Sequence, residues 1–239
     1  MLDFFKTQDV PDLAFQIHSI KCSVKLGQKV KLETVIDYCR NQLGNSETQI
    51  VVKTYPNFIV LHQKCVVDGN KKETCQHWYK SVKYTLFKYS EKQSLPAYYR
   101  QHCNISGLRL FSHIVPALDL LGQWLQLDTE DLHLEVDNLI ATTKLPKPIN
   151  KFEFLKKNPQ VKAHFQFERF PAIILKPKLF ASHHLESINN SSKKKRRKRA
   201  GPAILLYSSG SAVISGGKSE NDLEKACTFL ALCFAKYQA

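Results

Sequence analysis

The side chains with the most obvious capacity for chemistry lie in one polar stretch, where His62, Cys65, Cys75 and His77 follow each other at short intervals. Imidazole and thiolate are the ligands that tetrahedral zinc takes. Their intervals match no standard zinc pattern, so a metal site and four residues without a joint role both remain open. The seven cysteines are odd in number and scattered, which does not suit a secreted disulfide framework. Cys22, Cys39, Cys227 and Cys233 sit among apolar neighbours and read as buried thiols. Ser208–Gly217, SSGSAVISGG, has the small residues of a phosphate loop but lacks the Lys-Ser/Thr that completes one. No G-x-G-x-x-G, H-E-x-x-H or G-x-S-x-G pattern occurs either. The chain is therefore expected not to be an enzyme, and to use no cofactor and no small-molecule substrate.

Charge points to a different kind of chemistry. The formal net charge is +14, and half of it comes from the run Lys193, Lys194, Lys195, Arg196, Arg197, Lys198 and Arg199. Even without that run the chain stays basic, which suits nucleic acid or an acidic surface. The run itself reads as a nuclear localisation signal or as an electrostatic arm on phosphate. No stretch of eighteen apolar residues is present, so no membrane span and no membrane partner are expected. Residues 1–12, MLDFFKTQDVPD, lack the basic start and apolar middle of a leader, and a nuclear protein is expected.

The elements that must position these groups show in the hydrophobic period. Alternation over Ala14–Leu26 predicts a strand, and helical spacing over Leu32–Leu43 predicts a helix that stops at Gly44. Gln49–Lys53 and Asn57–His62 read as a hairpin about Thr54-Tyr55-Pro56-Asn57. Val82–Tyr89 and His102–Ser106 read as strands, and Leu108–Leu127 as a helix that bends or restarts at Pro116. The same order then returns. Leu132–Thr143 is a strand, Asn150–Asn158 a short helix, and Phe165–Phe170 carries alternating aromatics that lead into the strand Ala172–Leu175. Gly201–Gly217 forms two strands around Ser208-Ser209-Gly210, and a helix starts at Ser219 with Asp222 three residues on.

Laid on each other, Phe15–Leu26 corresponds to Leu134–Leu145, Asn57–Lys64 to Arg169–Lys176, Tyr84–Tyr89 to Ile204–Ser209, and Asn104–Gly107 to Val213–Gly216. Two such halves predict an α+β protein in which two pseudo-symmetric repeats form one antiparallel sheet with helices on one face. The expected division is a tail over 1–13, a first repeat over 14–130 with insertions at 64–81 and 90–101, and a second repeat over 131–239 with a basic insertion at 179–200. Ile204, Leu206, Ala212 and Ile214 should lie under the last helix, which leaves Leu205, Tyr207, Val213 and Ser215 on the open face.

The pattern resembles the TATA-binding protein family from about Phe15 onward, most clearly in Asp137–Thr143 (DNLIATT), Arg169–Lys176 (RFPAIILK) and Ala203–Ala235. That resemblance implies a curved sheet, a saddle with helices on its convex face, which sits on the DNA minor groove and bends the duplex to nucleate transcription initiation. Four aromatic wedges would unstack base steps, at a cost offset by the larger surface of bent DNA. The matching positions are Phe58 and Phe87 in the first repeat, Phe170 and Tyr207 in the second. The groove floor maps to Asn138, Ile140, Leu205, Val213 and Ser215 in the second repeat. In the first it maps to Ser19, Lys21, Thr85, Asn104 and Ser106, a more polar set that alters the match to an A·T groove. Phosphate contacts map to Lys64, Arg109, Lys176 and Lys218. The implied partners are double-stranded, A·T-rich DNA and general transcription factors or polymerase-associated proteins. The turn that docks the next factor in the family reads here Gln166-Phe167-Glu168-Arg169. The alternative is a protein-interaction scaffold or competitor of the same fold that has lost sequence-specific DNA binding.

Overall fold

Strict alternation of apolar and polar residues gives each strand one row of side chains for a core and one for the opposite face. The computed structural model, which describes residues 10–41, 48–65, 81–91, 100–166, 168–177 and 201–239, follows that pattern closely. In chain order the elements are β1 (Phe15–Leu26), α1 (Leu32–Asn41), β2 (Thr48–Thr54), β3 (Phe58–Cys65), β4 (Ser81–Phe87), β5 (His102–Leu108), α2 (Ile114–Leu125), β6 (Leu132–Lys144), α3 (Lys151–Lys157), β7 (Ala163–His164), β8 (Ile173–Leu175), β9 (Ala203–Leu206), β10 (Ser211–Gly217) and α4 (Glu220–Gln238). The chain divides into two compact units, His18–Asn138 and Leu139–Ala239, the latter joined by the residues up to Ile17.

In the first unit the strand order is β2-β3-β4-β5-β1, every pair antiparallel. Ile59, Leu61, Val82, Tyr84, Leu86, Cys103 and Ile105 form the inward rows and are fully or almost fully buried. Tyr84 meets Trp124 of α2 edge-on at 4.7 Å between ring centroids, so α2 covers this face. Burial drives the Cys22 and Cys39 thiols up to about 11, which keeps them protonated and apolar in character. The expected helix Leu108–Leu127 is shorter at its start. One 3₁₀ turn, Phe111–His113, precedes α2, and Pro116 falls in the first turn of α2, where a missing N–H leaves no helical hydrogen bond broken.

In the second unit the order is β6-β10-β9-β8-β7, again antiparallel. Ile204, Leu206, Ala212 and Ile214 are buried, as their phase requires. A side chain added at Gly217 would meet Leu223 of α4 and Leu139 of β6, which marks this face as the one α4 covers. Ser219 caps α4 by accepting from the Asp222 N–H. The Asp222 carboxylate in turn accepts from the Lys218 N–H, one residue before the position a capping box uses. Asn150 caps α3 in the same way, and the Asn158 amide ties α3 to α4 by donating to the Phe154 and Cys233 carbonyls.

The aromatic alternation of Phe165–Phe170 does not make a strand. β7 ends at His164, and the Arg169 and Phe170 N–H groups both donate to the Gln166 carbonyl, closing a turn. Pro171 restrains the residue before it and offers no N–H to a ladder, so the chain turns back there and resumes as β8.

The two units repeat one device. A β-bulge interrupts the β1–β5 register beside Gly107, and another interrupts β6–β10 beside Gly216. Both glycines have left-handed backbones, with φ of 96° and 97°. Each inserts one residue, so that Leu108 and Gly217 return to the buried face as the chain leaves for its helix.

Candidate nucleic-acid interface

Because α2 and α4 cover one face of their units, the other rows of the strands form an open face. In the first unit that face carries Phe58, Val60 and His62 of β3, Lys83, Thr85 and Phe87 of β4, and His102, Asn104 and Ser106 of β5. Phe58 lies directly across from Phe87, with centroids 5.7 Å apart. Two further rings extend the pair. Tyr55 stacks on Phe58 at 4.5 Å, and His102 stacks on Phe87 at 4.3 Å. The result is a four-ring ladder at the edge of an otherwise polar surface. Partial burial in the ladder lowers the basicity of His102, an effect that the nearby Asp137 carboxylate opposes.

Toward β1 the same face is polar. The Ser23 hydroxyl donates to Asp137 Oδ1 at 3.1 Å, and Lys25 Nζ meets Glu135 Oε1 at 2.5 Å. That lysine holds the Glu135 carboxyl below its ordinary range, mainly by hydrogen bonding. Ser23 pairs with Asn104 and Lys25 with His102 across the β1–β5 ladder, so these groups form one patch. Ser19 and Lys21 continue the row, half-buried and exposed respectively.

The second unit presents a different floor. One cross-strand row runs His164, Ile174, Leu205, Val213 and Thr142, and the next runs Ala203, Ser215 and Ile140. All of these except exposed His164 are half-buried, and most are apolar. Tyr207 follows β9 on the same side, half-buried, and Phe170 lies in the turn before β8 with 36% of its surface exposed. Gly210 closes the β9–β10 turn at φ +82°, where an added side chain would come within 2.7 Å of the Lys147 carbonyl oxygen.

Cations flank these faces at equivalent points. Arg109 follows the Gly107 bulge and Lys218 the Gly216 bulge, both exposed, and Lys176 follows β8, also exposed. Lys64 belongs to β3, but its side chain lies outside the described residues, as do Lys193–Arg199 entirely. Of the metal candidates, His62 is half-buried on the open face, while Cys75, His77 and the Cys65 side chain lie outside the described residues. Among the described residues no group of three or more ligand-type side chains converges on one point.

The sequence reading named the four aromatics and both floors as candidates, and it did not name Tyr55, His102, Asp137, Glu135, Ser23, Lys25, Thr142 and Ile174, which share these faces. Each of these joins the open face through neighbours that strand register and turn geometry decide.

The sequence pattern of the family described as "Transcription factor TFIID (or TATA-binding protein, TBP)" matches residues 133–237. That match covers the second half of the chain, which is similar to this family. The fold of this chain is similar to that of Methanococcus jannaschii TBP, with a TM-score of 0.53 at 16% sequence identity, over 94% of this chain and 99% of that one. That likeness carries the expected α+β, open antiparallel-sheet class. A rolling circle replication initiator protein from Geobacillus stearothermophilus is also similar over 92% of this chain and 79% of that one, at 8% identity and a TM-score of only 0.33. A comparison with curated protein sequences finds no match.

Proposed function

We propose that this TBP-like protein binds duplex DNA from the minor groove, with Phe58 and Phe87 of one repeat and Phe170 and Tyr207 of the other as wedges that bend it to start transcription. The observation that supports this reading is the phase of Phe58, Phe87 and Tyr207, together with the exposure of Phe170 in the turn before β8. The strand neighbours Ile59, Leu86 and Leu206 of the first three are buried, whereas Phe58, Phe87 and Tyr207 are half-buried in the alternate row. A large ring held at a sheet edge without helix cover is placed to enter a base step. Arg109, Lys176 and Lys218 would position the duplex by phosphate contact, and Asn138 with the apolar floor of Ile140, Leu205, Val213 and Ser215 would meet A·T base edges. General transcription factors are the protein partners this role requires.

Mobility shift and bending of an A·T-rich duplex test the reading. Wild type should shift and bend it at low salt, and each double variant, Phe58→Ala with Phe87→Ala or Phe170→Ala with Tyr207→Ala, should lose most of the bend. Absence of binding by wild type would leave the alternative, a scaffold of the same fold, which the carboxylates of Glu135 and Asp137 on the open face favour. Nuclear import is assigned to Lys193–Arg199. Alanine at all seven positions should leave a fluorescent fusion in the cytoplasm, and unchanged nuclear signal would assign the run to DNA instead.

A further inference from the structure

The first-unit floor carries a group that an A·T groove has no use for. A·T and T·A pairs show only acceptors in the minor groove, adenine N3 and thymine O2. The Asp137 carboxylate is acceptor-only when ionised, and facing those atoms it has no proton to share with them. The single donor in the minor groove is the N2-amino group of guanine. We infer that the first unit reads a G·C pair through the Asp137 carboxylate, which accepts from guanine N2. This inference rests on the minor-groove reading above and names the base that its polar half selects.

Three features of the patch support it. Asp137 is oriented by a neutral partner, the Ser23 hydroxyl, which occupies one lone pair of Oδ1 at 3.1 Å and leaves the rest of the carboxylate for a ligand. The adjacent acid, Glu135, is by contrast taken up by Lys25 Nζ at 2.5 Å, so the two carboxylates differ in their commitments. Asn104 lies across from Ser23 on β5 and adds an amide to the same patch. A side-chain carboxylate accepting from an exocyclic amino group is the same pairing that Asp and Glu make with cytosine in the major groove. Phosphate repulsion disfavours a carboxylate at a DNA surface, a cost that a donor on the base opposite offsets.

The test uses the full chain and three duplexes. One carries a single G·C pair moved along an A·T run, the second carries inosine·C at the same places, and the third is all A·T. Inosine lacks the N2-amino group and is otherwise guanine. Wild type should favour guanine over inosine by about tenfold at one position, the worth of a hydrogen bond to a charged acceptor. Asp137→Ala should bind inosine and A·T duplexes at least as tightly as wild type, which shows that it folds, and should lose the guanine preference. Asp137→Asn retains an acceptor oxygen and should keep part of the preference. Equal affinity of wild type for guanine and inosine at every position, or a preference that survives in Asp137→Ala, overturns the inference while the minor-groove reading stands. Failure of wild type to bind any of the three duplexes overturns both.

Discussion

Two places that correspond between the repeats close the same junction by different means. In the first unit the Leu26 N–H donates to the Gln101 carbonyl, and in the second the Leu145 N–H donates to the Gly210 carbonyl. The backbone bond is the same, but what holds the accepting residue is not. Gln101 is fully buried, and its amide bonds three main-chain groups: it accepts from the Val30 N–H and donates to the Val30 and Phe87 carbonyls. Gly210 has no side chain to use. It is held by a tight turn, with its N–H on the Tyr207 carbonyl and its left-handed backbone pressed against Lys147. A longer connection thus needs a side-chain clamp where a short one needs only the right φ. The difference extends to the open faces, since the first unit is aromatic and polar and the second is mostly apolar.

The largest effect should come from breaking the second junction. Gly210→Ala combines a left-handed backbone with a clash on main-chain oxygen, and should cost roughly 3 kcal/mol in urea unfolding. Gln101→Ala removes the clamp of the first and leaves buried main-chain groups without partners, for about 2 kcal/mol. If Gln101→Ala is neutral, the two junctions are not alternatives to each other. The bulge glycines sharpen the comparison from the other side. Gly107→Ala and Gly216→Ala should each cost about 1–2 kcal/mol, and by similar amounts, because their φ values agree. Costs that differ severalfold would show that the bulges are not equivalent.

Much of this arrangement was legible in the residues. The phase of β9 and β10 follows from alternation, which by itself assigns Ile204, Leu206, Ala212 and Ile214 to the helix side, where they are buried. The pairing of Gly107 with Gly216 was readable because a glycine at the end of an ISG motif signals a backbone that other residues avoid. The polar character of Ser19, Thr85, Asn104 and Ser106 was likewise visible. The run Phe165–Phe170 was not, since aromatic alternation imitates a strand and only the Gln166 turn shows that it is none. Nor was the tie of Ser23 to Asp137, two residues more than a hundred positions apart in sequence.

By itself the sequence determined the order of most elements and the inward rows of β9 and β10, because period and turn chemistry are local properties of the chain. Tertiary structure alone decided which rings stack into the Tyr55–Phe58–Phe87–His102 ladder and which carboxylate Lys25 takes. Both depend on cross-strand register, and a shift of one residue would send every one of these side chains to the other face.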